Sequence, residues 1–417
     1  MRRAAILALC LCCAAAAASA DVPLDTIGRS ESLPTPPRPH WVWASDIMLR
    51  RSSLLDLDSG AFLGMVSTGL FSQASVFPRS RPEFYLPETY YSRGTRGERS
   101  DVVTIYDART LAPVEEIAIP PKRAINVLPS ANFALTDDER FLAIFNMTPG
   151  TSLSIVDLQQ RRFVGEIATP GCSLVFAAGE RRLLSLCGNG SVLTVTLDGE
   201  GRETSKQRSE PFFDPERDPV TEKAVRYGDT WLFVSFAGVV HPVVVGGEAP
   251  VFGETWKLVE AAEGAEAWRI GGIQNFAVHQ GLGRLYSIMH QGEPDTPKEP
   301  GTELWVYDLA TRERIQRIEL RSPGFSLMSE NIEFGRDWIW PFDGLFDWML
   351  DNVIPNPGLY QVQVTQDDAP LLVTGSQIGG SIAVYDARSL EFLRRIPSGN
   401  LTTQALQAPW GASGATP

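Results

Sequence analysis

Apolar and polar residues alternate along short runs of this chain, and the runs recur. In Val102–Asp107, Val103 and Ile105 fall on one side and Thr104 and Tyr106 on the other, which is the period of a strand with two different faces. The same run, turn and second run return in Val102–Pro120, Leu304–Leu320 and Ile382–Ile396. Weaker copies occupy Leu54–Val66, Leu153–Ile167 and Val192–Lys206, and a degenerate one spans Val239–Trp256. One such unit cannot bury its own apolar faces, so the copies must stack radially on one another. With each copy marked by its turn residue (Asp56, Asp107, Asp157, Asp198, Gly246, Asp308, Asp386), successive gaps are 51, 50, 41, 48, 62 and 78 residues. Propeller blades run at about 40–50 residues, so the last two gaps hold insertions. The pattern predicts an all-β, seven-bladed β-propeller over residues 46–410.

The marker aspartates read as turn chemistry, since an Asp side chain accepts the amides that follow it. A plain turn is favoured over a calcium loop at Asp56-Leu-Asp58-Ser-Gly60, because the bidentate Glu that closes a twelve-residue loop is missing.

One segment breaks the pattern. Within residues 325–358, Phe342, Leu345, Phe346, Met349, Leu350 and Val353 recur at three and four, while Asp343, Asp347 and Asp351 recur on the other face. Pro341 suits a first helical turn and Pro355 a stop. This predicts an amphipathic helical insertion between the last two blades. It either covers the propeller itself or docks in a partner's groove; its acidic face speaks against anionic lipid.

Composition sets the compartment. Met1-Arg-Arg, an apolar stretch from Ala4 to Ala18 and the Ala18-Ser-Ala20 site form a secretory signal peptide, residues 1–20, with cleavage expected after Ala20. It is too short for a membrane span, and no second apolar run approaches that length. Residues 21–45, rich in proline after Leu33, read as an extended arm. Cleavage removes three of five cysteines, leaving Cys172 and Cys187; in an oxidising compartment a disulfide between them is the default. Losing Arg2 and Arg3 takes the formal charge from −13 to −15, which argues against nucleic acid or an anionic membrane as partner.

Reactive motifs are missing from the sequence. It has no G-x-S-x-G elbow, P-loop or H-E-x-x-H helix. His40, His241, His279 and His290 lack metal-ligand spacing, so no metal site is expected; His279 and His290 bracket one hairpin and are candidates to face each other. No catalytic residue is assigned to the chain.

The run Tyr91–Pro120, with Ser92-Arg-Gly-Thr-Arg-Gly-Glu-Arg99 at its start, closely resembles the heavy subunit of methylamine dehydrogenase and its aromatic-amine relative. The likeness continues through Pro170–Cys172 and Cys187–Ser191, where the family has a disulfide of the same spacing, and through Ala267-Trp-Arg-Ile-Gly-Gly272; it spans about Ser52 to Ile396. The resemblance implies a periplasmic propeller subunit without a cofactor of its own. A small cysteine-rich light chain would carry tryptophan tryptophylquinone in an α2β2 assembly, oxidising small primary amines and passing electrons to a cupredoxin or c-type cytochrome. It also implies that the loop containing Leu70 and Phe71 lines the amine's way in, the family's aromatic falling on Leu70 by register. Arg93, Arg96 and Arg99, with Glu98 and Asp101 nearby, are candidates for the light-chain interface, or form a self-paired solvated loop. Trp268 and Arg269, before Gly271 and Gly272, are the second candidate. The competing reading is a stand-alone secreted propeller that binds or scaffolds; a weaker third is a quinone cofactor held in the chain's own central channel.

Overall fold

The computed structural model describes residues 32–34, 37–70, 75–125, 130–320, 358–376 and 380–410. Its contacts divide the chain at Ser32/Leu33, and the fold belongs to the unit that begins at Leu33. The expected signal peptide, Phe71 and nearly all of the segment read as a helical insertion lie outside the described residues.

Seven antiparallel sheets follow one another along the chain. Blade 1 is built from both ends, because Thr403–Gln407 forms its inner strand against Trp41–Asp46, followed by Arg51–Asp56 and Phe62–Ser67. The first strand begins at Trp41, inside the stretch assigned to the N-terminal arm. Every marker residue closes or follows within two residues the strand next to the outermost of its sheet: Arg51–Asp56, Arg96–Asp107, Ser152–Asp157, Val192–Leu197, Val239–Val244, Glu303–Asp308 and Ser381–Asp386. The degenerate fifth copy has its outer strand split into Val251–Phe252 and Trp256–Lys257. A short helix, Ala261–Ala265, follows in the first long gap, which the sequence pattern did not indicate.

Alternation does the packing. In blade 1, Val42, Ala44 and Leu55 join Val373, Ile382 and Val384 of blade 7, while Trp41, Trp43 and Leu54 join Phe84, Leu86 and Tyr106 of blade 2. Val103 and Ile105 of blade 2 pack on Leu142, Ile144 and Val156 of blade 3. A blade is therefore covered on both faces, and even the polar side of the Val102–Asp107 run is buried: Thr104 is 2% exposed and Tyr106 stacks on Phe84 with ring centroids 5.0 Å apart. Each large apolar side chain taken from water contributes about 1.5–3 kcal/mol.

The turn aspartates act as expected. Asp107 Oδ1 accepts the amides of Arg109 and Thr110, and the same pattern repeats at Asp56, Asp157, Asp308 and Asp386. Four residues after each of these five, the backbone is left-handed, at Gly60, Leu111, Arg161, Arg312 and Leu390 (φ 75°, 56°, 51°, 62° and 62°). Cys172 and Cys187 are bonded, directly opposite one another on the two innermost strands of blade 4. His279 and His290 do not face each other: His279 pairs with Arg284 and His290 with Arg269, at opposite ends of the strand Arg284–Gln291. No helix among the described residues is long and apolar enough to cross a membrane.

Candidate functional site

In a four-stranded meander the turns between second and third strands, and the crossings from one blade's outer strand to the next blade's inner strand, fall at one end. That end carries the sequence-predicted residues. The strands Glu83–Arg93 and Arg96–Asp107 are the longest in the molecule's described residues, and the outer strand Pro113–Ile119 pairs only as far as Asp101. Tyr90–Ser100 therefore extends past the sheet as a two-stranded arm, turned at Gly94-Thr95 with Gly94 at φ 72°. Arg93 and Arg96 flank this turn, both exposed, and among the described residues neither forms an ion pair. Exposed Met48, Leu49, Met147 and Leu401 lie on connections at the same end, beside exposed Tyr90 of the arm.

Arg99 is half-buried and paired instead. Its guanidinium grips Asp101 through Nε and Nη2 (2.9 and 2.7 Å) and donates to the Arg123 carbonyl at 2.7 Å. Asp101 is fully buried and also accepts from Thr89 Oγ1 and the Arg123 amide. Arg123, 3% exposed, donates from Nε to Thr89 Oγ1 at 2.9 Å and from Nη2 to the Leu70 carbonyl at 2.8 Å. Burial pulls its pKa down to about 10, with the charge of Asp101 opposing, so it stays a cation at neutral pH. The loop arriving at Leu70 is fixed twice more: Leu70 N–H donates to Thr89 O (3.0 Å), and Gly69 N–H to Glu88 Oε1 (2.7 Å). A Cβ on Gly69 would sit 3.0 Å from Thr89 O and 3.1 Å from Glu88 Cβ, so only glycine allows this approach without a shift. Burial pushes the Glu88 carboxyl up, against hydrogen bonds from Thr104, Gly69 and Tyr90.

The structure thus brings two predicted elements, the Leu70 loop and the Arg99 strand, onto one buried network. Sequence reasoning missed the joint. Arg123 lies 22 residues beyond Asp101 on a crossing with no motif, and the bridge Arg123–Asn146 that carries it to the site is a tertiary feature.

Trp268 and Arg269 reach the same end on blade 6, across the ring from blade 2. The Trp268 ring is buried, 5.4 Å from Trp305, with the Arg317 guanidinium 4.5 Å above it. Arg269 and Arg317 reach the surface there rather than the indole. Gly271 and Gly272 do admit close backbone approach, to His290 and to the Glu299 and Tyr360 carbonyls. Lys223 donates to the Gly272 and Pro297 carbonyls (2.8 and 3.1 Å), and burial lowers its pKa to about 8, against the charge of Glu222.

The inner strands surround a central cavity of about 590 Å³. Its glutamines act as stitching: Gln274 bonds both the amide and the carbonyl of Leu406, and Gln407 bonds those of Ser75. Among the described residues no group of three or more His, Cys, Asp or Glu is disposed to hold a metal ion.

Fold and site together define a seven-bladed propeller distinguished at one end by an arginine-tipped arm bolted to a neighbouring loop. The methylamine dehydrogenase heavy chain family matches residues 47–331. The chain is 28% identical over 355 residues to the methylamine dehydrogenase heavy chain of Methylophilus methylotrophus, covering 82% of this chain and 78% of that one. To the heavy chain of Paracoccus versutus it is 26% identical over 348 residues, covering 82% and 72%. A solved structure, a functionally unknown protein from Desulfotomaculum acetoxidans DSM 771, superposes with a TM-score of 0.54 at 10% identity over 87% of this chain and 98% of that one, a likeness of fold alone. The chain belongs to the methylamine dehydrogenase heavy chain family, and its role is that of an amine dehydrogenase subunit.

Proposed function

We propose that this chain is the large, non-catalytic subunit of a periplasmic quinoprotein amine dehydrogenase. It seats a small cysteine-rich light chain that carries tryptophan tryptophylquinone, in an α2β2 assembly that oxidises small primary amines and hands electrons to a cupredoxin or c-type cytochrome. The partner's quinone supplies the two-electron oxidation. This chain's own residues dock the partner, orient it and narrow the way in.

The observation that carries this reading is the arm Tyr90–Ser100, which lies within the span matched by the family and extends beyond its sheet with Arg93 and Arg96 exposed. Arginine suits such a contact because its planar fork makes paired hydrogen bonds and stacks on aromatic rings. Arg99 enters as the arm's internal brace. The loop at Leu70 and Phe71 lines the amine's path, and Arg269 beside Trp268 makes a second contact on the far side of the ring. Residues 1–20 direct export and are removed after Ala20.

The test is co-purification. Replacing Arg93 and Arg96 together by Ala should weaken capture of a co-expressed light chain by tenfold or more while leaving the thermal midpoint unchanged. Unchanged association removes the arm from the interface.

A further inference from the structure

Two parts of the docking end that the sequence keeps apart, the partner-facing arm and the loop at Leu70, are held by one side chain. Arg123 reaches both from the interior. Its Nη2 fixes the Leu70 carbonyl at 2.8 Å, its Nε fixes Thr89 Oγ1 at 2.9 Å, and its backbone closes on Asp101 and Arg99 at 3.0 and 2.7 Å. Asp101 holds the arm from the other side by its fork to Arg99. Every contact is at least half buried, so water competes weakly for any of them.

We propose that Arg123 is a positioning residue that locks the Leu70 loop to the base of the arm, so that the seat of the light chain and the width of the amine's path are set together. The inference rests on the reading of this chain as an amine dehydrogenase subunit and deepens it: the residue acts on which amines pass, through the loop it holds, and touches neither amine nor quinone. The guanidinium geometry is the reason for this choice of residue. A lysine at 123 keeps the charge but, as a single ammonium on a flexible stem, loses the planar fork that holds Nε and Nη2 in fixed relation. Releasing the Leu70 carbonyl removes the donor that Arg123 gives it, whereas Thr89 Oγ1 keeps its bond to Asp101, so the loss falls on the loop and frees it to move.

The experiment uses the complex with its light chain and compares Arg123→Gln and Arg123→Lys with the unaltered protein. The kcat/KM values for methylamine and for 2-phenylethylamine are measured by dye reduction, and hydrogen exchange is followed at the amides of Gly69 and Leu70. The expected result is a change of at least tenfold in the ratio of the two kcat/KM values for Arg123→Gln, carried mainly by KM, with a smaller change for Arg123→Lys. Exchange at Leu70 should quicken at least tenfold in both variants. A ratio within twofold of the original in both folded variants overturns the proposal, and so does unchanged exchange at Leu70. If Arg123→Gln does not fold, Arg123→Lys decides by the same readouts. If the unaltered complex oxidises neither amine, the amine dehydrogenase reading fails, and unchanged or quickened exchange still decides whether Arg123 holds the loop.

Discussion

His40 and Asp367 are 327 residues apart in sequence, yet His40 Nε2 lies 3.0 Å from Asp367 Oδ2. The other ring nitrogen lies 2.9 Å from Asp58 Oδ1, so one imidazole joins the start of the first strand to turns of blades 1 and 7 where the ring closes. Burial alone would lower the pKa of His40, but the hydrogen bond it donates to Asp58 and the charges of Asp367 and Asp58 outweigh it, and the net shift is upward.

A raised histidine stabilises the fold most when protonated. Its contribution is complete below the ordinary value of about 6.5 and is lost as pH rises through the folded value. The difference in thermal midpoint between the natural protein and His40→Ala should be widest near about pH 6 and narrow toward alkaline pH. The other three histidines are lowered by burial and act with the opposite sign, so only the difference between the two proteins isolates His40. A gap that widens with pH would contradict the assignment.

Gly60 occupies the left-handed position of the blade 1 turn at φ 75°, and the nearest atom to an added Cβ is Ile396 Cγ1 at 3.9 Å. Space is therefore not the obstacle, and the cost of Gly60→Ala is backbone strain less the entropy that alanine saves in the unfolded chain, about 1 kcal/mol net. Denaturant unfolding reads this directly. Leu390, at the same position in blade 7 with φ 62°, is buried at 3% and tolerates the strain because its side chain packs in the core between blades 6 and 7. A neutral Gly60→Ala would show that the turn relaxes.

The Cys172–Cys187 bond closes a loop of sequence separation 15 between facing strands. Replacing both cysteines by serine should lower unfolding stability by roughly 3 kcal/mol in the chain-entropy account, with the propeller retained. Retention is expected because the paired strands still bury Val175, Phe176, Leu183 and Leu184 in the core of blades 3 to 5. Loss of the β-sheet signal on mild reduction would mean that blade 4 depends on the bond for folding.

The ring was legible in the sequence because its information is local: a two-residue period, an aspartate at the turn and a repeated spacing. Asp107, Asp308 and Asp386 sit where their copies predict, and even the degenerate Gly246 comes two residues after the strand Val239–Val244. The end that carries the arm was legible only in part. The arm's length and its glycine turn are readable from Ser92–Arg99, but the fate of each arginine is not. Arg99 turns inward because Asp101, two residues on, is buried beneath it, whereas Arg93 and Arg96 have no such partner among the described residues. Trp268 looked like a surface anchor by motif, and the structure buries it against Trp305 because its strand pairs with Met289–Gln291 inside blade 6. The joints at Arg123 and His40 were invisible, since each links segments that only ring closure brings together.

The proposed function divides the labour between two polypeptides. Amine-dependent dye reduction should be measured for the purified chain alone and then after addition of the small cysteine-rich subunit. The prediction is no turnover by the chain alone, and turnover together with a visible quinone absorption once the small subunit is bound. Amine oxidation by the chain alone would contradict the account.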